Sequence, residues 1–221
     1  MSPRSKLRSA GEVALRSTSL LTMQIASVVP TDIRTARLLV RQWLPEDAAD
    51  LLPVLEANRD HLGPWIPARI ATPAPVPILA ERLAGFGADF AADREWRFAM
   101  FSLQNARLLG EVALFPRAAT GRVPFADADR VELGYWLRAD ETGKGIVTEA
   151  ARAVLSVAAQ IPRFSRVEIR CDARNIPSAA VPTRLGFRLV ETAAEPGVGG
   201  ENSNMQVWVS ELSNFNVPPV G

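Results

Sequence analysis

The segment between Arg130 and Asp172 restricts the fold of this chain more than any other feature of its sequence. It opens with RVELGYWL, an apolar-rich run typical of a strand, and continues through two glycines that flank a lysine in ETGKG. RVEIRCD closes it and alternates, with Val167, Ile169 and Cys171 on one side. Between them, apolar residues recur at helical spacing: Val147, Ala150, Ala151, Val154, Leu155 and Ala158. The order strand, glycine loop, helix, strand predicts a mixed α+β sheet.

The rest of the chain is expected to add strands and helices to the same sheet. ARLLVRQW predicts a strand, and the helix after it is expected to start at Pro45 and to be kinked or divided at Pro53. A second helix is predicted from about Ile78 to Ala92, before a hairpin of WRFAMFSL and RLLGEVALF. A short helix closed by Gly186, a strand at about 187–190 and a last strand MQVWVSEL follow. The predicted order βααβββαβαββ contains about seven strands and about four helices.

The length and composition of the chain fit one soluble domain. The chain has 221 residues, of which 48% are hydrophobic and 22% charged. We expect the domain to span residues 31–213, between a disordered N-terminal arm over 1–30 and a C-terminal tail over 214–221. The arm is rich in Arg and Ser and shows no periodicity, so a targeting peptide and a translation start at Met23 are the alternatives.

Charge and the scarcity of reactive residues disfavour several classes of protein. The 25 Lys and Arg residues balance 24 Asp and Glu residues, which disfavours direct nucleic-acid binding through phosphate contacts. No window approaches the roughly 18 apolar residues of a membrane span. The lone Cys171 excludes an intrachain disulfide, is expected to be a buried small hydrophobe and is consistent with a reducing cytoplasm. With a single histidine, His61, the chain lacks the usual zinc ligand set and is a poor candidate for a hydrolase triad.

The glycine loop is a candidate phosphate site. Gly143 and Gly145 permit a positive φ, so that several N–H groups point at one place, and the helix expected near Ile146 adds its positive dipole end. Lys144 adds a charge or faces solvent. A strand-to-helix turn that needs glycine only for its geometry is the alternative. Two nucleotide motifs do not fit, because the lysine precedes the second glycine and Thr148 stands where a dinucleotide fingerprint needs a third Gly or Ala.

The glycine loop and its surroundings resemble the GNAT N-acetyltransferase superfamily. The acyl-CoA loop pattern Q/R-x-x-G-x-G/A is matched at Gly145, while Thr142 and Val147 depart from it. VELGYWLRADETGKGIVTEAARAVLSVA, RVEIRCDARNIPSAAVPTRLGF and ANRDHLGPWIP resemble the RimJ/RimL branch, which acetylates the N-terminal amine of ribosomal proteins. The resemblance covers about Thr35 to Leu212. It implies the GNAT acyl-CoA N-acyltransferase fold, an α+β fold with a mixed, mostly antiparallel sheet.

The same resemblance implies which residues bind acetyl-CoA. The strand ending at Trp136 and Leu137 would part from its neighbour and pair with the pantetheine arm, with the Leu137 amide on the thioester carbonyl. Asn175 would contact pantetheine from the far side, although a helix N-cap is its alternative role. The loop would hold the pyrophosphate through the main chain of Thr142, Gly143, Lys144, Gly145, Ile146, Val147 and Thr148.

Two groups are expected to handle protons in the reaction. Glu132 is the predicted base, acting through water, with a strand-surface ion pair as the alternative and Glu111 as the competing base. Ser178 is the predicted donor to the departing thiolate, with an ordinary first-turn helix serine as the alternative. Many family members use a tyrosine after the Asn motif for this step, and none stands there in this chain. A downstream glutamate, Glu195 or Glu201, is a further candidate for a catalytic role.

The expected reaction is transfer of acetyl from acetyl-CoA to an amine, without a metal. A site without a histidine base favours a protein N-terminal α-amine, whose pKa near 8 makes deprotonation easier than for lysine. His61 and Trp65 would lie on the acceptor side. A small-molecule amine acetyltransferase and a non-catalytic acyl-CoA-binding module are the alternatives. We expect a cytoplasmic monomer or homodimer that binds neither nucleic acid nor membrane.

Overall fold

A computed structural model describes residues 27–198 and 202–216 as a nine-stranded sheet with six α-helices. The strands are β1 Asp32–Arg34, β2 Leu38–Gln42, β3 Trp96–Ser102, β4 Leu108–Ala118, β5 Gly121–Arg122, β6 Arg130–Leu137, β7 Arg166–Asp172, β8 Arg188–Pro196 and β9 Asn202–Glu211. The helices are α1 Ala48–Ala57, α2 Arg59–Leu62, α3 Ala68–Ala71, α4 Val76–Ala91, α5 Ile146–Ala158 and α6 Ile176–Leu185.

The sheet is antiparallel except at its centre. Its strand order is β1-β2-β3-β4-β6-β7-β9-β8, and β5 pairs with β4. Only β6 and β7 pair in parallel among the described strands, because α5 carries the chain back to the edge from which β6 started. The predicted α+β fold with a mixed, mostly antiparallel sheet is therefore confirmed.

The central parallel pair parts halfway along its length. Pairing between β6 and β7 covers Arg130 to Glu132 on one strand and Arg166 to Glu168 on the other. On its other side β6 stays paired with β4 as far as Leu137. The second half of β6 therefore has a strand on one side and a cleft on the other.

Apolar side chains pack on both faces of the sheet. One core cluster contains α5, whose buried face is the one predicted from the sequence: Val147, Ala150, Ala151, Val154, Leu155 and Ala158. The second cluster joins the other face of the sheet to the α1–α4 layer, through residues such as Trp43, Leu55, Leu83 and Trp136. α5 thus belongs to one layer, and α2, through Leu62, belongs to the other.

The structure adds short elements and moves one helix break. β1, β5 and α3 were not predicted, because segments of two to four residues contain too little of a period to detect, while α2 lies within the run predicted as the first helix. A division of the first helix at Pro53 is wrong, because α1 continues through it and Leu51, Val54 and Leu55 pack into the core on either side. The break comes instead at Asn58, whose backbone is not helical.

The folded domain extends beyond both predicted boundaries. Residues 1–26 of the predicted arm lie outside the described residues, but Val29 is only 2% exposed and belongs to the core. At the other end Phe215 is 5% exposed, with its ring 5.9 Å from that of Phe187. Apolar packing therefore places residues on the outer side of both predicted boundaries within the domain. Residues 217–221 lie outside the described part. Within the described ranges no helix is both long and apolar enough to cross a bilayer.

Candidate active site

A cleft of about 300 Å³ lies where β6 and β7 part. Its walls come from the end of β6, the loop before α5, the start of α6 and the region of α2. Ser178 and nine of the ten residues predicted to bind the coenzyme line it: Trp136, Leu137, Thr142, Gly143, Gly145, Ile146, Val147, Thr148 and Asn175. Lys144 and Glu132 are not among its lining residues.

The glycine loop has the backbone geometry that the sequence predicts. Gly143 and Gly145 have φ values of 76° and 75°, in the left-handed region that favours glycine. Gly145 is the N-cap of α5, and the first intrahelical bond runs from the Glu149 amide to the Gly145 carbonyl at 3.0 Å. The amides of residues 146–148 therefore precede the helical ladder and lie at its positive end. This arrangement suits an anion such as a diphosphate.

Side chains outside the cleft brace this loop. Arg37 donates to the Lys144 carbonyl at 3.0 Å and pairs with Glu149 at 2.6 Å, while Thr35 donates to the same carboxylate. Burial alone would raise the pKa of Glu149, but the hydrogen bonds from Thr35 and Arg37 outweigh it and lower the pKa. Lys144 pairs with Glu141 at 3.0 Å and is 54% exposed. Its charge therefore lies outside the cleft, paired with a neighbouring carboxylate.

The start of α6 holds Ser178 against a tyrosine from the facing strand. Asn175 is the helix N-cap and accepts from the Ser178 amide at 3.2 Å. The Tyr135 hydroxyl donates to the Ser178 carbonyl at 2.9 Å and lies 3.3 Å from Ser178 Oγ, which donates to it. Burial raises the pKa of Tyr135, so its hydroxyl keeps its proton at neutral pH. Sequence reasoning overlooked this residue because it sought a tyrosine on α6, although Tyr135 is on the strand that forms the cleft.

The end of β6 turns its main chain toward the cleft. The Arg138 amide donates to the Leu109 carbonyl on β4 at 2.9 Å. Because successive residues of a strand point their N–H and C=O groups to opposite sides, those of Leu137 face away from β4. The Leu137 carbonyl accepts from His61 Nε2 at 3.2 Å. The cleft is lined by both His61 and Trp65, which were expected on the acceptor side.

Glu132 was predicted to face the cleft, but it does not line it. Arg117 donates to one of its carboxylate oxygens at 2.6 Å, and Arg122 pairs with the other. The reason is its place along β6, since Glu132 is opposite Glu168 in the last pair before β6 and β7 part. No cleft exists at that level, and the alternative of a strand ion pair describes what the structure contains.

Glu111 is likewise held in a buried network under the α1–α4 layer. It is 4% exposed, and it accepts from Arg97 at 2.7 Å and from the Trp43 indole at 2.8 Å. Burial alone would lower the pKa of Arg97, but the carboxylates of Glu111 and Glu95 outweigh it and raise the pKa. Glu111 is therefore tied to a structural cation and does not line the cleft.

The remaining candidates lie elsewhere or outside the described residues. Glu195 pairs with Arg170 at 2.7 Å on the exposed β8 edge, and Glu201 is not described. Cys171 is buried as predicted, and burial raises the pKa of its thiol. Within the described ranges no cluster of three or more His, Cys, Asp or Glu side chains is suited to hold a metal ion.

A family model of the acetyltransferase (GNAT) domain matches residues 37–188, which contain the whole cleft. The chain belongs to the GNAT family. The predicted resemblance is thereby confirmed, and the GNAT fold explains why β6 and β7 part around a coenzyme-sized cleft.

Two relatives from Bacillus subtilis (strain 168) are similar over most of this GNAT chain. YdaF, provisionally named a ribosomal N-acetyltransferase, is 30% identical over 165 residues, or 72% of this chain and 81% of that protein. YjcK, provisionally named an N-acetyltransferase, is 30% identical over 148 residues, or 67% and 78%. The first agrees with the predicted RimJ/RimL branch.

Solved structures of GNAT enzymes share the fold at lower identity. Mycobacterium smegmatis RimJ in complex with CoA-disulfide has a TM-score of 0.65 and 22% identity, covering 79% of this chain and 81% of its own. RimL, a ribosomal alpha-N-protein acetyltransferase in complex with coenzyme A, has a TM-score of 0.68 and 17% identity, covering 83% and 97%. The GNAT fold predicted from the sequence is confirmed by both.

Proposed function

We propose that this GNAT domain transfers acetyl from acetyl-CoA to the N-terminal α-amine of a protein. The observation that carries the proposal is the cleft itself, which joins a left-handed glycine loop, a helix N-terminus and the unpaired side of β6. A diphosphate matches the glycine loop and the helix N-terminus. A peptide-like arm matches the unpaired side of β6. The relatives named as N-acetyltransferases support the acyl-group assignment.

In the proposed complex the main chain does most of the binding. The amides before the α5 ladder hold the diphosphate of acetyl-CoA, and the amides of its pantetheine arm pair along β6 like an added strand. The Leu137 N–H, which faces the cleft, donates to the thioester carbonyl and polarises it. Lys144 has no part in this proposal, because it pairs with Glu141.

The reaction is direct attack of a neutral amine on the thioester carbon. The C–N bond forms, the C–S bond breaks, and the thiolate of coenzyme A leaves. Ser178 Oγ, which donates to the Tyr135 hydroxyl at 3.3 Å before the reaction, donates a hydrogen bond to this thiolate, and the thiolate takes its proton from solvent. Tyr135 keeps its own proton and holds the first turn of α6 by donating to the Ser178 carbonyl.

The acceptor end of the cleft carries His61, Trp65 and Trp136 and contains no described acidic side chain. A cleft that is lined by the cations Arg174 and Arg184 and by no described carboxylate suits a neutral α-amine better than a lysine, whose reference pKa near 10.4 keeps it charged at neutral pH. YdaF supports a ribosomal-protein acceptor by its name alone. A cytoplasmic location is part of the proposal, since nascent and ribosomal N-termini are found there.

The test is acetylation measured by intact mass and by thiol release. Purified protein is mixed with acetyl-CoA and, separately, with ribosomal proteins, N-terminal peptides and small amines. We expect a mass increase of one acetyl group on the α-amine of a protein or peptide. Turnover on small amines alone would support a metabolite or antibiotic acetyltransferase instead. Coenzyme binding without thiol release from any acceptor would support a non-catalytic module.

A further inference from the structure

We propose that His61 is the general base that takes the proton from the acceptor amine. The inference rests on the proposed acetyl transfer and names the residue that the predicted carboxylates leave unassigned. Both Glu111 and Glu132 are held by arginines away from the cleft. Among the described residues that line the cleft, none is Asp or Glu, and His61 carries the one side chain of a type that exchanges protons near neutral pH.

A hydrogen bond fixes the tautomer that a base requires. His61 Nε2 lies 3.2 Å from the Leu137 carbonyl oxygen, and a carbonyl oxygen can only accept. The hydrogen of the neutral ring is therefore on Nε2, and Nδ1 carries the lone pair. The ring lines the cleft, and Nδ1 is the proton acceptor of the proposed step.

The same bond places the ring beside the reacting carbon. The N–H and C=O of Leu137 face the same side of β6, toward the cleft. In the proposed complex that N–H holds the thioester oxygen, so the imidazole bonded to the adjacent C=O lies within a few ångströms of the acyl group. An amine that attacks this carbon passes the His61 ring.

Asn58 holds α2 in this position. Its side chain is buried, accepts from the Ala139 amide at 2.7 Å and donates to the Val54 carbonyl at 2.8 Å. The main-chain carbonyl of Asn58 accepts from the Leu62 amide at 2.9 Å, within the turn that carries His61. One residue thus joins the end of α1, the start of α2 and the loop after β6. Asn58 is a positioning residue for His61.

The proton balance of the step is complete. As the C–N bond forms, Nδ1 takes a proton from the amine, and the departing thiolate accepts a hydrogen bond from Ser178 and is protonated by solvent. The imidazolium then releases its proton to solvent. The charged groups near His61 are Arg59 and Asp60 on its own helix and Arg174 on the loop before α6, whose guanidinium lies over Trp65 at 5.9 Å. Tyr135 faces the same cleft and is neutral.

The test compares His61→Gln with the wild type on an acceptor that the wild type acetylates. The glutamine amide can still donate to the Leu137 carbonyl but cannot accept a proton at neutral pH. We expect kcat to fall on the order of 10²- to 10³-fold with the Kd of acetyl-CoA unchanged. Asp60→Asn, on the same helix but exposed and outside the cleft, is the matched control and should keep the wild-type kcat.

Two further measurements separate a base from a structural side chain. Added imidazole should restore part of the activity of His61→Ala, and the acidic limb of the pH profile of kcat should disappear in His61→Gln. A His61→Gln enzyme with wild-type kcat and pH profile would overturn the inference while leaving acetyl transfer intact. A wild-type protein that binds acetyl-CoA but acetylates no amine would overturn the proposed function and this inference with it.

Discussion

Tyr135 illustrates how one side chain can be set by two elements. Its strand places the hydroxyl against the first turn of α6, and burial keeps the proton on it. It is also the only tyrosine of the chain, so its ionisation can be observed without interference. The ionisation of the residue that holds the first turn of α6 is therefore directly measurable.

We expect Tyr135 to resist ionisation in the folded protein. Burial raises its pKa, so the folded state keeps the proton at pH values where the unfolded chain, with a pKa of about 10, has released it. The unfolded state then binds fewer protons, and the free energy of unfolding falls as pH rises above about 10. Phenolate absorbance during a pH titration, with and without denaturant, measures both states. A folded-state midpoint near 10 would contradict the burial.

Gly145 is expected to be intolerant of an acidic side chain. We expect Gly145→Glu to abolish detectable coenzyme A binding, because it adds a negative charge to the loop that should hold the diphosphate and strains a φ of 75°. Gly186→Glu is the matched control, since Gly186 has a φ of 81° at the far end of α6 and does not line the cleft. Calorimetric titration gives both affinities. Equal losses in the two variants would mean that strain alone, rather than loss of a phosphate site, is responsible.

At the scale of elements, the glycine loop depends on a side-chain tie to the first strands. Glu149 on α5 binds Thr35 and Arg37, which flank the turn between β1 and β2, and Arg37 reaches the loop carbonyl. The tie joins residues that are more than 100 positions apart in the sequence. It holds the loop in place before any ligand binds.

We expect Glu149→Ala to weaken coenzyme A binding without abolishing it. Half of the Arg37 side chain is exposed, so the lost pair is worth about 1 kcal/mol or less, which corresponds to roughly a fivefold rise in Kd. Asp89→Ala breaks a comparably exposed pair with Arg94 at the far end of α4 and serves as control. If both variants bind equally well, the tie does not organise the loop.

The longer elements and the coenzyme loop were predictable from the sequence because each depends on local pattern. β6, β7, α5 and α6 follow from alternation, helical spacing and the glycine that ends α6. His61 and Trp65 were expected at the acceptor end from the resemblance of their segment, but the contact between Asn58 and Ala139 that sets α2 there was not predictable, because these residues are 81 positions apart. The carboxylates were misassigned for the same reason: alternation gives a face of the sheet but not the level at which two strands part.

At the scale of the whole molecule, stability depends on the buried ion pair between Arg97 and Glu111. Both side chains are about 5% exposed or less beneath the α1–α4 layer. Such a pair adds little to stability when intact, but the loss of one partner leaves a buried charge that costs several kcal/mol.

We expect Glu111→Leu to lower the free energy of unfolding by about 3 kcal/mol, because Arg97 keeps only Glu95 and the Trp43 indole loses its acceptor. That corresponds to a fall in Tm of roughly 6–12 °C for a domain of this size. Denaturant unfolding measures the change. Adding Arg97→Met to the same chain should recover most of it, and a single variant as stable as the wild type would refute the cost assigned to the lone cation.

Because β6 and β7 part, the stability of the fold depends on the concentration of a ligand that pairs with β6. A molecule whose own amides line up along the exposed side of β6 completes the hydrogen-bonding that the sheet leaves open, and it does so only in the native state. Mass action then adds about 2.7 kcal/mol of protection at a concentration a hundredfold above Kd. The acyl donor thus also stabilises the folded state of this chain by binding to it. Resistance to heat and to proteases should therefore increase with the concentration of the donor.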